Sequence, residues 1–281
     1  MNENNALICT TSSSASADSR CAGQVLVSGS YGGEYNAYHA AKWGIRGVIL
    51  NDAGIGKDDA GIKGLFYLDR ISLAAATADA MTCHIADGDH MLEHGIISRV
   101  NKAAEKLGCK IGQTVRVCAE LMKQAPIITA KPPEISGGKR YIIQEKPGAP
   151  KILCLDAAPL LEPEDAGQVV VTGSHAAMFR GQPDGIVGPD VRAIFFSDAG
   201  IGMDQAGITR LKDLDKRSIP AGTASAQSAP IGDARAIYNE GILSHLNATA
   251  AALGAKPGMS VKALVDRLVL MDAERQKPQE R

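Results

Sequence analysis

His175 follows Gly173-Ser174 directly, just beyond the apolar run Val169-Val-Val171. A histidine at a strand end can move protons near neutral pH, since its unperturbed pKa is about 6.5. Asp198 closes the next apolar run and is the expected orienter of that imidazole. Ser174, or a water activated by His175, would then attack, with backbone N–H groups holding the developing oxyanion. No Gly-x-Ser-x-Gly elbow surrounds Ser174, which weakens the serine route relative to the water route. The expectation is a cofactor-independent hydrolase acting on a C–N or C–O bond of a small polar, anionic metabolite. The same acid/base group would serve a lyase or an isomerase, and a non-enzymatic small-anion-binding protein is the competing reading.

Much of this chemistry is written twice. Ala22-Gly-Gln-Val-Leu-Val-Ser-Gly-Ser30 returns as Ala166-Gly-Gln-Val-Val-Val-Thr-Gly-Ser174, and Asn51-Asp-Ala-Gly-Ile-Gly56 returns as Ser197-Asp-Ala-Gly-Ile-Gly202. Shorter matches follow in order: Ile85-Ala-Asp87 with Ile231-Gly-Asp233, and Gly95 to Asn101 with Gly241 to Asn247. A period this long indicates a duplicated domain-sized unit and not a solenoid. Gly29-Ser30 and Gly173-Ser174 are therefore expected to present backbone N–H groups and hydroxyls to an anion. Asp52 and Asp198 would bring paired carboxylates to a cleft shared by the two copies. Asx turns supply the bland alternative for both aspartates.

Thr223, Ser225 and Ser228, set among alanines, could hydrogen-bond a compact polar ligand. Arg235 is the expected partner of its carboxylate or phosphate, because the guanidinium fork binds either in bidentate fashion. The histidines are shared unevenly. His90 and His94 lie four apart on an expected helix, with His84, Asp87 and Asp89 nearby. That spacing allows a metal-dependent hydrolase as a further alternative, although the primary reading assigns no metal ligand. Cys83-His84 is not a convincing catalytic pair, since adjacent side chains on a strand diverge.

Short unbroken apolar runs alternate with amphipathic stretches, which implies an α/β chain with mainly parallel sheets and flanking helices. The repeat predicts two lobes related by a pseudo-two-fold: residues 1–122 and 151–270, with a connection over 123–150 and a tail from 271 to 281. Helices are expected at Tyr35 to Lys42, Ile96 to Leu107, Gln113 to Lys123, Ile242 to Leu253 and Met259 to Leu270. Asp58 and Asp204 are expected to cap helix starts. Lys139 to Glu145 is the one strand-like piece of the connection.

A net charge of -1 and 4 % aromatic residues argue against nucleic acid, which needs a concentrated positive surface or stacking platforms. No apolar run is long enough for a membrane span. Six cysteines without a CxxC pair and without a leader-like N-terminus point to a reduced, cytoplasmic chain, with a homo-oligomer possible.

Overall fold

The computed structural model describes residues 6–179 and 188–275. The described residues form two compact units. One takes the chain up to Gly137 together with residues 177–179 and 199–207; the other takes Gly138–Ala176, residues 188–198 and the chain from Ile208 onward.

The first unit runs β1 (Ile8–Thr11), β2 (Val25–Tyr31), α1 (Glu34–Ala41), β3 (Gly47–Asn51), α2 (Lys63–Asp69), β4 (Ala74–Ala78), α3 (Gly88–His94), β5 (Ile97–Val100), α4 (Lys102–Lys106) and α5 (Val115–Met122). Its five strands lie in the order β1-β2-β3-β4-β5. The first four are parallel and β5 is antiparallel to β4. The period-2 pattern of each strand feeds both faces of the sheet. Val25, Val27 and Ile49 pack with Met91, Val115 and Met122, whereas Leu26, Val48 and Leu50 pack with Ala37, Leu65 and Leu68. Both faces are dry, which explains why these strands read as unbroken apolar runs.

The second unit contains β6 (Arg140–Gln144), β7 (Ile152–Leu155), β8 (Val169–His175), β9 (Ala193–Ser197), α6 (Arg210–Lys216), β10 (Ala221–Ala224), α7 (Ala234–Glu240), β11 (Leu243–Leu246), α8 (Ala248–Ala252) and α9 (Val261–Arg275). The sheet order is β11-β10-β9-β8-β7-β6, parallel from β7 to β10 and antiparallel at both edges. The expected strand in the connection is β6, and it is tied to the unit by Arg140, whose Nη1 donates to Asp165 at 2.7 Å.

Several elements differ from the sequence reading. Ile96 to Leu107 is not one helix. Its β-branched first half is β5, and the helix begins only after Asn101, whose side chain accepts from Ala104 N–H at 3.0 Å. The same Asn101 accepts from Ala75 N–H and donates to Leu73 O, pinning β4. Ile242 to Leu253 divides identically at Asn247, which accepts from Ala250 and Ala221 and donates to Ile219 O. The Ser-Gly-Ser and Thr-Gly-Ser segments do not lie beyond the strands but form the last part of β2 and β8. The final helix reaches Arg275, inside the stretch read as a tail, and residues 276–281 lie outside the described residues. The expectation of a fully reduced chain fails at one pair: Cys9 on β1 and Cys21 just before the adjacent β2 form a disulfide, with Cα atoms 5.8 Å apart. No helix among the described residues is long and apolar enough to cross a membrane.

Candidate functional site

In the second unit β8 delivers His175 to its carboxyl end, where ligands of parallel sheets bind. The register sets His175 opposite Ser197, one residue before Asp198. His175 is 7 % exposed. Its imidazole pKa falls to about 3, first because burial disfavours the charged ring and second because the Arg210 guanidinium is close. Arg210, the first residue of α6, is itself buried, and its pKa is lowered to about 10 by desolvation against the opposing pull of Asp213. Its backbone N–H donates to Ala176 O at 2.8 Å and its guanidinium lies 5.9 Å from the Phe196 ring. A buried guanidinium therefore lies close to a neutral imidazole, with the Asp213 carboxylate acting on the same guanidinium. Nothing in the spacing of Arg210 announced it.

The other expected groups in this unit are engaged in holding loops. Ser174 Oγ accepts from Ala158 N–H at 2.9 Å. Asp198 Oδ1 accepts from Ala226 N–H at 2.9 Å, tying the ends of β9 and β10. Thr223 and Ser244 hydroxyls pair at 3.0 Å across β10 and β11. Ser225 Oγ accepts from Gln227 N–H, and Ser228 Oγ donates to Ser225 O and accepts from Ile242 N–H. Arg235 stacks over the Tyr141 ring at 4.2 Å. Gly173 is needed for close approach: a Cβ there would lie 2.5 Å from Asp156 O and 2.7 Å from the Gly232 carbonyl carbon.

The first unit repeats much of this arrangement. Ser30 Oγ accepts from Ser14 N–H at 2.9 Å, and a Cβ at Gly29 would lie 2.4 Å from Asp87 N. Asp52 Oδ1 accepts from Gly54 N–H at 2.9 Å and from Ala80 N–H at 3.0 Å. Burial raises the Asp52 pKa, while those two N–H groups and the Ser98 hydroxyl pull it down. After Asp52 four consecutive residues are left-handed: Ala53, Gly54, Ile55 and Gly56, with φ of 48°, 71°, 62° and 73°. Ala199 to Gly202 do the same. A β-branched residue with positive φ is a true outlier, and such strain concentrates where loop geometry is over-determined. Glycine is required between them, because a Cβ on Gly54 would lie 2.8 Å from the Gly200 Cα.

One cluster in this unit has open side chains. Asp87 caps α3 by accepting from His90 N–H at 3.0 Å, which sets His90 and His94 on one face of the helix. The His84 and His90 rings stack at 3.7 Å, and His90 and His94 centroids are 4.4 Å apart. His90 Nδ1 accepts from the His84 backbone N–H at 3.2 Å, so a neutral His90 carries its proton on Nε2. Burial and its two histidine neighbours lower the His90 pKa, against the pull of Asp87 and Asp204.

Asp204 is not the helix cap expected of it. It has φ of 52°, in a turn held by Met203 N–H donating to Ala80 O, and its Oδ2 lies 2.8 Å from His84 Nε2. Asp58 likewise sits in a left-handed turn without capping a helix. His84 is 30 % exposed at its side chain and Asp204 69 %. Cys83 beside it is buried, with its thiol pushed up to about 12, so it supplies no thiolate. Among the described residues no three His, Cys, Asp or Glu side chains converge to hold a metal ion.

The first unit thus offers a carboxylate-oriented, partly open imidazole, and the second an enclosed imidazole beside a buried guanidinium. No protein-family model, no curated protein and no solved structure matches the chain.

Proposed function

We propose that the chain is an acid/base enzyme that hydrolyses a C–N or C–O bond of a small polar molecule, with His84 as the working group. The observation that carries this reading is the 2.8 Å pairing of His84 Nε2 with Asp204 Oδ2 at a partly open position. Asp204 holds the Nε2 proton, which leaves the Nδ1 lone pair as the base. That lone pair takes a proton from the attacking water, and the resulting imidazolium returns a proton to the leaving nitrogen or oxygen. Stacking on His90 limits the ring to one orientation. The reading needs no cofactor. A lyase or isomerase would use the same proton transfer without the water.

A second reading is favoured by Arg210 beside His175. An anionic substrate admitted there would make His175 more basic by its own charge, in keeping with the roles expected of Ser174, His175 and Asp198. It requires the residues enclosing His175 to move, because that ring is almost fully covered. In the same proposal the chain carries two copies of one ancestral unit. The repeated blocks and the parallel duties of Asn101 and Asn247 support this.

The test is turnover of a panel of small amides, lactones and esters by the native chain, His84→Asn and His175→Asn. General-base loss lowers turnover by about 10²–10⁴-fold in His84→Asn, with His175→Asn close to native. Full activity in His84→Asn would sink the first reading, and loss confined to His175→Asn would establish the second.

A further inference from the structure

We infer that the first unit carries a binding site for a small amphipathic carboxylate, in a recess away from both histidine centres. The recess has a volume of about 320 Å³, at the small end of the roughly 300–1,000 Å³ typical of ligand sites. Ala74, Ala103, Leu107 and Ala125 give it an apolar lining, with Lys102 and Lys106 also lining it. Ala74 and Ala125 are buried, whereas both lysines are exposed. The lysines are four residues apart on α4 and so share one helical face. Apolar walls with two ammonium groups at the rim fit a ligand with a short hydrocarbon body and one anionic head.

The acidic group in the recess does not cancel this charge pattern. Asp69 lines it, but its carboxylate accepts from the Lys102 backbone N–H at 3.1 Å. Two cations against one such carboxylate leave the rim net positive.

The lysines are not demanded by the fold. After Asn247 the matching helix α8 reads Ala-Thr-Ala-Ala-Ala, with no charge at all, and Asp215 there accepts from both the Thr249 N–H and its hydroxyl. The asparagine cap and the aspartate therefore work without lysines in the second unit. The charged pair is an addition of the first unit, located where a recess exists to use it. This proposal does not depend on His84 or His175.

Calorimetric titration of the full chain with octanoate and with octanol tests it. The expected order places octanoate first, with octanol about tenfold weaker. The double substitution K102E/K106E should weaken octanoate by at least about tenfold, since it replaces attraction by repulsion. A103F should remove binding of octanoate and octanol together by filling the recess. No saturable octanoate binding, equal affinity for octanoate and octanol, or unchanged octanoate affinity in K102E/K106E would each overturn the assignment. The lysine variants change exposed side chains and keep the test independent of whether A103F folds.

Discussion

His175 and His84 were the sharpest and one of the dullest candidates on sequence, and their surroundings differ in kind. His175 follows a repeated Gly-Ser at a strand end, yet burial and Arg210 keep it neutral down to about pH 3. His84 follows an inert buried cysteine, yet its ring is partly open, stacked and paired with a carboxylate. The difference teaches that strand-end position supplies opportunity, while desolvation decides whether an imidazole can change charge at all. The same contrast holds for the hydroxyls and carboxylates of the repeated blocks. Ser30, Ser174, Asp52 and Asp198 each accept backbone N–H groups and so shape the loops around them.

The largest effect that would break this contrast is on stability against pH. The folded-state pKa of His175 lies below its unfolded value, so between about pH 6.5 and about pH 3 the unfolded chain binds the extra proton. Stability should therefore rise with pH across that window, by up to about 1.4 kcal/mol per pH unit from this group. The lowered pKa of His90 acts in the same direction. Denaturant midpoints measured from pH 4 to pH 8 should show this slope, and His175→Gln should flatten it whatever its absolute stability. An unchanged slope in that variant would mean His175 is not enclosed, and the contrast would collapse.

A smaller effect concerns the strained loops that both aspartates terminate. Gly54→Ala combines positive φ with a Cβ 2.8 Å from the Gly200 Cα, and should cost more than about 2 kcal/mol. Gly44→Ala has similar φ of 65° but nothing within 4 Å of the added carbon, and should cost about 1 kcal/mol. Thermal midpoints of the two variants separate clash from backbone strain. Equal losses would show that the two loops do not need their close approach.

The smallest effect concerns Arg235, expected from the sequence to hold a ligand's anionic group and found against an aromatic ring. Its guanidinium lies 4.2 Å from the Tyr141 ring centroid, and cation–π pairs at exposed sites contribute about 0.5–1 kcal/mol. Arg235→Ala should lose roughly that in a denaturation curve and leave turnover unchanged. A large activity loss at native stability would place Arg235 in the site.

Most of the strands were legible because two covered sheet faces demand unbroken apolar runs, and Val25 to Val27 and Val169 to Val171 meet that demand openly. Helix α3 was legible from the His90–His94 spacing, whereas the capping role of Asp87 was not. β5 and β11 were not, since Ile96 to Leu107 and Ile242 to Leu253 also satisfy a helical period; the asparagine caps that divide them act through hydrogen bonds to the distant β4 and β10 strands. The site was legible in its ingredients only. His84, His90 and His94 were singled out, but Asp204 was read as a cap because its partner is 120 residues away.

By itself the sequence determined the α/β class, the repeated strand and glycine blocks, and the residue types available for proton transfer. Those follow from local periodicity and composition, which short segments carry within themselves. Only the tertiary structure decided which histidine is enclosed, which aspartate orients a ring and where a buried arginine sits. Burial and long-range pairing set those properties, and neither is a property of neighbours along the chain.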